Sequence, residues 1–438
     1  MTLRVSVIGT GYLGATHAAC IASLGFEVVG IDVDPEKIAM LAGGKVPFYE
    51  PELEELLAAQ IKSGRLTFST NFQDAADADI HFICVGTPQQ TGSLAADLKY
   101  VDAALDAIAP IAKAGSLVVG KSTVPVGTAQ RLRERLISLN PAVDLAWNPE
   151  FLREGFAVED TLKPNRLVVG VVSDAAEAKL KELYKSNLDA NTPWVRADLP
   201  TAELVKVAAN SFLATKISFI NAMAEICEAA GGDVTVLAKA IGYDPRIGSR
   251  FLQAGIGFGG GCLPKDIRAF MARADELGAT QALEFLREID SINLRARSRV
   301  IELVRKDLAD DLKGKRVAVL GAAFKPDSDD VRDSPALDIS VQIQAAGATV
   351  VIHDPKAMKN AEKRFPVLNF ANSIEDCLKD ADIVLHLTEW KIYREINPVA
   401  VKSLVKNAII IDGRNSLDRD AWQAAGWKFR ALGRSSSN

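Results

Sequence analysis

Cys262 is the residue of this sequence best suited to covalent chemistry. It directly follows the glycine-rich segment Gly255–Gly261 and is itself followed by Lys265 and Asp266. A nearby ammonium favours the thiolate of a cysteine, and a carboxylate can orient a water molecule or a lysine. Glycines are costly to order, so such a run indicates left-handed backbone or a close approach to a ligand. We predict a nucleophilic cysteine, the alternative being a small buried residue in a flexible loop.

Lys206 and Asn210 are four residues apart in a segment with helical periodicity. Both side chains therefore project from one helix face, within reach of a single ligand. Such a pair usually lies on a solvated face. Here the flanking residues, Phe212 among them, are apolar almost all round, which predicts a buried helix whose lysine has a functional reason to be there.

A dinucleotide-binding pattern follows the first strand-like run. Gly9, Gly11 and Gly14 form GxGxxG and open a helical pattern. In that context the glycines allow a tight turn, a close approach of a pyrophosphate and close helix packing. Asp32, at the end of the second strand, is placed to accept hydrogen bonds from ribose hydroxyls, which favours NAD over NADP. Lys37 could weaken the exclusion of a 2′-phosphate.

Two further segments carry polar side chains that a loop or a helix cap alone could explain. Asn148–Gly155 sets Glu150 and Glu154 four residues apart after a proline, and Ser122–Thr128 ends a strand with hydroxyls. The histidines show no metal-ligand spacing and sit in helix or strand patterns, so we predict structural roles for His17, His81, His353 and His386 and no metal site. The remaining cysteines lie in apolar patterns that predict core positions for Cys20, Cys84, Cys227 and Cys377.

The elements that must position these residues alternate between strand and helix at both ends of the chain. This pattern predicts parallel sheets of the Rossmann type. The strand-like runs are Val5–Ile8, Glu27–Ile31, Ile80–Val85, Leu117–Gly120, Arg316–Leu320, Thr349–His353, Ile383–Leu387 and Ala408–Ile411. Asp77–Phe82 and Lys379–Val384 echo each other, which indicates an internal duplication.

A long helix is predicted between the halves, from Pro200 to Glu228, and Gly231 with Gly232 ends it. A helical region from about residue 233 to 310 follows, interrupted by the glycine-rich segment. We expect residues 433–438 to be disordered. The prediction is an α/β protein with two Rossmann-like doubly wound domains joined by a long central helix, with domains at residues 1–199, 200–310 and 311–438.

Composition excludes several classes of function. The 438 residues carry a net charge of −5 without a Lys/Arg block, which argues against a nucleic-acid partner. No apolar run is long enough to cross a bilayer, so we predict no membrane span. The N-terminus lacks the features of a signal peptide, which favours a cytoplasmic location.

Taken together, these segments resemble the UDP-glucose/GDP-mannose dehydrogenase family, and most closely its branch that acts on UDP-glucose. The resemblance covers nearly the whole chain and rests on six stretches in the family's order: Gly9–Gly14, Ser122–Thr128, Asn148–Gly155, Lys206 with Asn210, Gly255–Asp266, and Phe324–Lys325 with Arg332. It implies a homodimer formed through the long helix, an N-terminal domain that holds NAD and a C-terminal domain that holds a UDP-sugar.

The resemblance also implies the reaction, which is oxidation of the sugar C6 alcohol to a carboxylate with two NAD molecules in succession. Cys262 forms a thiohemiacetal with the intermediate aldehyde and then a thioester, and water releases UDP-glucuronate for nucleotide-sugar metabolism and polysaccharide biosynthesis. The other implied catalytic residues are Lys206 and Asn210, which stabilise the oxyanion, Glu150, the acid/base, and Thr123 and Asp266, which orient water or Lys206.

The binding residues are carried over from the same resemblance together with the glycine-loop pattern. The cofactor set is Gly9, Gly11, Tyr12, Leu13, Gly14, Asp32, Lys37, Thr87, Thr123, Glu154, Lys265 and Arg332. The substrate set is Phe151, Leu152, Arg153, Lys206, Asn210, Arg246 (which a partner subunit can donate), Phe251, Gly257, Phe258, Gly259, Phe324, Lys325 and Arg414. Cations at Lys325 and Arg414 suit a diphosphate.

Two residues depart from the family's pattern. Gly261 stands where the family often has serine, and Leu263 stands where many UDP-glucose members have phenylalanine. Because leucine also occurs there in GDP-mannose dehydrogenases, GDP-mannose is an alternative substrate. Two alternatives from other classes are a single-step NAD-dependent hydroxyacid dehydrogenase, which needs no cysteine, and a catalytically silent NAD-binding sensor or scaffold.

Overall fold

The computed structural model describes residues 3–434. The chain divides into two compact units, the first made of residues 3–209 and 268–278 and the second of residues 210–267 and 279–434. Each unit is built on a largely parallel sheet. No helix within residues 3–434 is both long enough and apolar enough to span a membrane.

The first unit alternates strands and helices. Its strands are β1 (Arg4–Ile8), β2 (Glu27–Ile31), β3 (Leu66–Ser69), β4 (Ile80–Ile83), β5 (Leu117–Gly120), β6 (Asp144–Trp147), β7 (Leu167–Gly170) and β8 (Trp194–Ala197). Its helices are α1 (Tyr12–Ser23), α2 (Pro35–Ala42), α3 (Leu53–Lys62), α4 (Lys99–Ile108), α5 (Thr128–Leu139), α6 (Ala157–Leu162), α7 (Asp174–Leu183) and α8 (Lys185–Asp189), with a 3-10 turn at Phe72–Ala75. Helix α9 (Leu199–Ala230) begins in this unit and ends in the second.

The sheet of the first unit has the strand order β3-β2-β1-β4-β5-β6-β7-β8. Its pairs are parallel except β6 with β7, which meet antiparallel through Trp147 and Gly170. Every residue of β4 and β5 is buried, as expected where helices cover both faces of a parallel sheet. The strand order reverses between β1 and β4, and ligands of such sheets bind at the carboxyl ends of the strands at this point.

The second unit repeats this plan. Its strands are β9 (Arg316–Leu320), β10 (Thr349–His353), β11 (Asn369–Phe370), β12 (Ile383–His386), β13 (Ile409–Asp412) and β14 (Lys428–Ala431), in the parallel order β11-β10-β9-β12-β13-β14. Its helices after α9 are α10 (Val234–Gly242), α11 (Leu263–Glu276, which continues into the first unit), α12 (Phe285–Asp307), α13 (Pro335–Ala345), α14 (Met358–Arg364), α15 (Ile374–Leu378), α16 (Lys391–Arg394), α17 (Pro398–Val401) and α18 (Arg419–Ala424), with 3-10 turns at Thr280–Leu283 and Lys402–Leu404.

The duplication predicted from the sequence echo is confirmed, because the first six strands of both units follow the same order. The echoing aspartates do the same work in each unit. Asp79 accepts a hydrogen bond from Arg4 N at 2.9 Å, and Asp382 accepts one from Arg316 N at 2.9 Å. Each carboxylate therefore ties the start of the fourth strand to the start of the first.

The acidic residues that follow β2 and β10 also correspond, and each accepts a hydrogen bond from the loop after the first strand of its unit. Asp32 accepts a hydrogen bond from Thr10 N at 2.8 Å. Asp354 is fully buried and accepts from Ala322 N at 2.8 Å and Ala323 N at 3.0 Å. The loop after β9 in the second unit is thus held from within by Asp354.

The predicted fold class is confirmed, and the predicted strands agree with the structure to within two residues at each end. The expectation that the long helix is buried is wrong at Phe212, which is 67% exposed, whereas Lys206 is buried, as expected. Gly433 and Arg434, expected in a disordered tail, are bound to Glu228 and Asp233. The rest of that tail, residues 435–438, lies outside the described residues.

Candidate active site

Each of the three glycines after β1 is explained by a different structural requirement. Gly9 has a φ of +87° and donates its N–H to Ile31 O at 2.7 Å, so it forms the tight turn. A Cβ on Gly14 would lie 1.8 Å from Gly9 O, so only glycine allows α1 to pack this closely. A Cβ on Gly11 would meet nothing within 4 Å. The loop is therefore open at Gly11, the position where a pyrophosphate approaches in such folds.

Asp32 carries a concentrated negative charge directly after β2. Its carboxylate accepts from Thr10 N, from Asp34 N at 3.1 Å and from Lys37 Nζ at 2.9 Å. Burial acts to raise the pKa of Asp32, but the hydrogen bonds from Lys37 and the two amides outweigh it and lower the pKa below its usual value. Asp32 is thus ionised at neutral pH, and Lys37 is its counterion.

Tyr12, the first residue of α1, is joined to the loop after β6. Its hydroxyl donates to Glu50, whose carboxylate also accepts from Gly155 N and Ala157 N, both at 2.7 Å. Burial, followed by the hydrogen bond to Glu50, raises the pKa of Tyr12. The negative charge of Glu154 acts on the pKa of Tyr12 in the same direction.

The loops after β4 and β5 are held together by hydroxyls. Thr87 Oγ1 donates to Thr123 O at 2.8 Å, and Ser122 Oγ donates to Val85 O at 2.7 Å. The first of these bonds brings the predicted cofactor residues Thr87 and Thr123 together at the carboxyl edge of the sheet.

Glu150 and Lys206 form an ion pair in the first unit, with 3.0 Å between Oε1 and Nζ. The pair is largely shielded from water, since the side chains are 14% and 6% exposed. Glu150 Oε2 accepts from Leu152 N at 2.8 Å, and Lys206 Nζ lies 5.7 Å from the ring centre of Phe151. A fixed, shielded charge of this kind can stabilise charge that develops in a reaction.

Arg153 and Phe151 are held by other partners. The Arg153 guanidinium forms a two-pronged bond to Asp160, with distances of 2.8 and 2.7 Å. The Phe151 ring lies under the Arg166 guanidinium at 3.8 Å. These contacts fix the segment that carries the predicted substrate residues.

Cys262 is exposed and directly precedes the first residue of α11. Its carbonyl accepts from Asp266 N at 2.9 Å, so the cysteine stands at the helix N-terminus, where an anion is stabilised. The alternative of a small buried residue is wrong. By contrast, Cys20, Cys84, Cys227 and Cys377 are buried, as predicted.

A buried carboxylate lies in the first turn of the same helix. Asp266 is 2% exposed, accepts from Asn210 Nδ2 at 2.7 Å and pairs with Lys265 Nζ. Asn210 and Lys206, one turn apart on α9, therefore have different partners, Asp266 and Glu150. The structure brings together Cys262, Lys265, Asp266 and Asn210 within the second unit.

The glycine run before Cys262 is explained by backbone conformation and close packing. Gly257 and Gly260 have φ values of +86° and +84°. A Cβ on Gly257 would lie 2.3 Å from Asn293 Oδ1, and one on Gly259 would lie 2.2 Å from Asp333 O. The sequence predicted either left-handed backbone or a close approach to a ligand. The structure confirms left-handed backbone at Gly257 and Gly260.

Arg332 and Arg414 are engaged within the second unit. The Arg332 guanidinium binds Asp330 and covers Gly261, where a Cβ would lie 2.2 Å from Arg332 Cζ. Arg414 donates to Leu387 O at 2.7 Å and to Phe324 O at 2.9 Å. Burial lowers the pKa of Arg414, yet the guanidinium keeps its charge because its usual pKa is so high.

The segment around Arg246 and Phe251 differs from the rest of the predicted substrate set. The Arg246 side chain is 88% exposed and pairs with Asp244, and Phe251 has a left-handed φ of +63°. Lys325 Nζ lies 5.4 Å from the Phe324 ring centre. Arg246 is thus a solvent-exposed residue of the second unit.

The sequence interpretation missed several buried polar residues. Glu203 accepts from Gly127 N at 2.7 Å and Ala129 N at 2.6 Å, and so caps α5. Asn293 binds both backbone polar groups of Phe258, at 2.7 and 3.0 Å, and so fixes the cysteine loop. Their only sequence signal is a polar residue on the apolar face of a helix. No cluster of three metal-ligating side chains occurs in the described part of the chain.

Comparison with known protein families identifies what this geometry belongs to. Three models of one family match the chain in order: an NAD binding domain over residues 3–188, a central domain over residues 200–295 and a UDP binding domain over residues 318–419. The chain belongs to the UDP-glucose/GDP-mannose dehydrogenase family. The resemblance inferred from the six sequence stretches is thereby confirmed.

Full-length relatives support the same assignment. The chain is 39% identical to a UDP-glucose 6-dehydrogenase of Rhizobium meliloti, covering 99% of this chain and 100% of the relative. It is 40% identical to the UDP-glucose 6-dehydrogenase TuaD of Bacillus subtilis, covering 98% and 93%. A solved structure of a UDP-glucose dehydrogenase from Pyrobaculum islandicum superposes with a TM-score of 0.90 at 35% identity, covering 99% and 98%.

This dehydrogenase uses NAD, which accepts a hydride when bound. The residues of the first unit fit the cofactor. Gly11 leaves room for a pyrophosphate at the N-terminus of α1, and ionised Asp32 suits ribose hydroxyls rather than a 2′-phosphate. The alternative of a catalytically silent NAD-binding protein finds no support in the family assignment.

Proposed function

We propose that this protein is a UDP-glucose 6-dehydrogenase that converts UDP-glucose to UDP-glucuronate. The observation that carries the proposal is the exposed Cys262 at the N-terminus of α11, beside the buried Asp266. A single-step alcohol dehydrogenase has no need of a nucleophile in this position, whereas a four-electron oxidation must hold an aldehyde midway. The full-length relatives named UDP-glucose 6-dehydrogenase favour the same substrate.

The proposed chemistry has four steps on the sugar carbon C6, and NAD accepts the hydride in each of the two oxidations. Loss of a hydride and a proton from the alcohol gives an aldehyde. The Cys262 thiolate adds to the aldehyde carbon and forms a thiohemiacetal, and loss of a second hydride gives a thioester. Water then attacks the thioester, the C–S bond breaks, and the carboxylate leaves while the thiol is restored.

The two polar clusters are assigned complementary roles. Lys206 supplies a fixed positive charge for the oxyanion that develops at C6, and its partner Glu150 acts as the acid/base. Asn210, held by Asp266, donates a hydrogen bond to the same oxyanion. Thr123 and Asp266 orient water or Lys206.

The substrate residues are proposed to divide between the two ends of the UDP-sugar. The segment of Phe151, Leu152 and Arg153 contacts the sugar, while Lys325 and Arg414 serve the diphosphate. Arg414 acts there as a rigid cation, because backbone carbonyls already fix its guanidinium.

The yield of NADH tests the proposal directly. We expect two NADH per UDP-glucose consumed to completion, because each C6 alcohol loses two hydrides. GDP-mannose run in parallel tests the alternative raised by Leu263. Two NADH from GDP-mannose and none from UDP-glucose would keep the chemistry and replace the substrate. One NADH per sugar would favour the single-step hydroxyacid dehydrogenase alternative.

A homodimer is also proposed, and a stripe on α9 supports it. Phe212, Phe219 and Ile226 are seven residues apart and 67%, 47% and 61% exposed. Large apolar side chains aligned in this way on one helix are typical of a surface that a second copy covers.

The Phe219→Glu variant is expected to dissociate this dimer. A buried carboxylate without a partner should weaken association by about 100-fold, as measured by light scattering across a dilution series. Val399→Glu, at an apolar residue of α17 that is 68% exposed, is the control and should keep the wild-type mass. An unchanged mass for Phe219→Glu would remove α9 from the interface.

A further inference from the structure

Lys121 is a buried lysine that the proposed chemistry leaves without a role. It follows β5 directly and is 7% exposed. Its Nζ donates to Asn148 Oδ1 at 3.0 Å and lies 3.4 Å from Asn148 O. Taking an ammonium out of water is costly unless nearby groups compensate, so its surroundings should reveal why it is retained.

Its partner Asn148 joins three elements. Asn148 Nδ2 donates to Val168 O of β7 at 2.8 Å, and Oδ1 accepts from Tyr184 Oη at 2.7 Å as well as from Lys121. Both polar atoms of the side chain are therefore used. The position of Asn148 depends on all three contacts together.

Glu150 follows Asn148 by two residues, with Pro149 between them. The proline has a fixed φ and also restricts Asn148 before it, so the segment that leads from Asn148 to Glu150 is stiff and a shift of Asn148 should move Glu150. At the far end, the Glu150 carboxylate is bound by Lys206 and Leu152 N. Lys121 thus holds Asn148 at one end of the turn, and Lys206 holds Glu150 at the other end.

The charges around Lys121 also connect it to Glu150. The titratable groups that shift its pKa are Cys84, Glu150 and Lys206, and the centre of the Phe82 ring lies 5.7 Å from its Nζ. Cys84 is a neutral thiol, since burial raises its pKa to about 12. His17 on α1 is neutral too, because burial and then Lys121 lower its pKa. Glu150 is therefore the anion that two buried lysines share.

We propose that Lys121 is a positioning residue, which holds Glu150 against Lys206 and compensates part of its negative charge. The proposal rests on the proposed function only for the role of Glu150 as acid/base. Its geometry concerns the first unit alone and can be tested without any turnover.

The structural test is a crystal structure of the Lys121→Met variant. We expect the Glu150 Oε1 to Lys206 Nζ distance to increase from 3.0 Å to more than about 4 Å, the limit for an ion pair. A distance that stays at 3.0 Å overturns the proposal. If Lys121→Met does not fold, the same measurement is made on Lys121→Gln, which keeps a donor for Asn148 but no charge.

The kinetic test uses Lys121→Gln and the pH profile of kcat. Burial lowers the pKa of Lys121 to about 8, so the wild-type rate should fall as pH rises through 8 and the charge disappears. In the variant we expect kcat to be about 100-fold lower, the KM for NAD unchanged and the step near pH 8 lost. Lys113→Met, at a lysine paired with Asp79 nearer the surface, should keep the wild-type profile.

The outcomes are distinguishable from failure of the proposed function. A wild-type profile and kcat for Lys121→Gln overturn the positioning role. A wild-type protein that forms no NADH from UDP-glucose counts against the proposed function, and the variant crystal structure then decides the role of Lys121.

Discussion

The Cys262→Ser variant is expected to lose steady-state NADH formation by about 1,000-fold or more, the scale seen when a catalytic nucleophile is removed. A serine hydroxyl is a far weaker nucleophile than a thiolate, and it has no general base of its own in the proposed scheme. The first hydride loss does not involve the cysteine. We therefore expect a single early turnover at each active site, measured by stopped-flow absorbance, followed by a stall.

The control for this variant is Cys227→Ala, at a buried cysteine of α9. It should keep both the stoichiometry and most of the rate. If Cys262→Ser still forms two NADH per UDP-glucose at the wild-type rate, the thioester scheme is wrong, and the second oxidation proceeds without a covalent bond to the cysteine.

The Lys206→Met variant is expected to lower kcat by about 100- to 1,000-fold, because a preorganised charge at a developing oxyanion is worth this much. Stability should fall as well, by about 3 kcal/mol, since the shielded Glu150 carboxylate loses its partner. Steady-state kinetics and chemical denaturation measure the two effects separately.

The double variant Lys206→Met with Glu150→Gln separates catalysis from folding. Neutralising both partners should restore most of the stability but none of the activity. Lys185→Met, at a surface lysine paired with Asp189, should be neutral in both assays. A Lys206→Met enzyme with wild-type kcat would leave the ion pair with a structural role only.

Much of the fold could be predicted from the sequence because its strands are buried on both faces. Runs such as Leu117–Gly120 are continuously apolar and β-branched, and the glycine loop identifies the first crossover. The long helix was also predictable, since it runs for 32 residues without an internal glycine or proline after Pro200. The exposure of Phe212 was not predictable, because apolar side chains on a helix look the same whether a core or a solvent-facing stripe receives them.

The candidate site could be predicted only where neighbouring residues in the sequence indicate a function. Cys262 is such a residue, because glycines precede it and charged residues follow it. Glu50, by contrast, accepts from Gly155 N across 105 residues of sequence, and Lys121 reaches Asn148 across 27. The sequence around a single charged residue does not reveal a partner this far away. The long-range hydrogen bonds that hold the loops can therefore be identified only from the three-dimensional structure.

Asp32 and Asp354 bind the equivalent amides of Thr10 and Ala322, but Asp354 also binds the next amide, that of Ala323. In the second unit the amides of Ala322 and Ala323 are already occupied by the Asp354 carboxylate, and an incoming phosphate would have to displace a fixed anion from them. A phosphate at the loop after β9 would therefore compete with Asp354 for the Ala323 amide, whereas a Cβ on Gly11, the equivalent position of the first unit, would meet nothing within 4 Å. The connection between β9 and α13 covers residues 321–334, whereas the one between β1 and α1 covers residues 9–11, so the second unit offers a different and larger set of loop residues to a ligand.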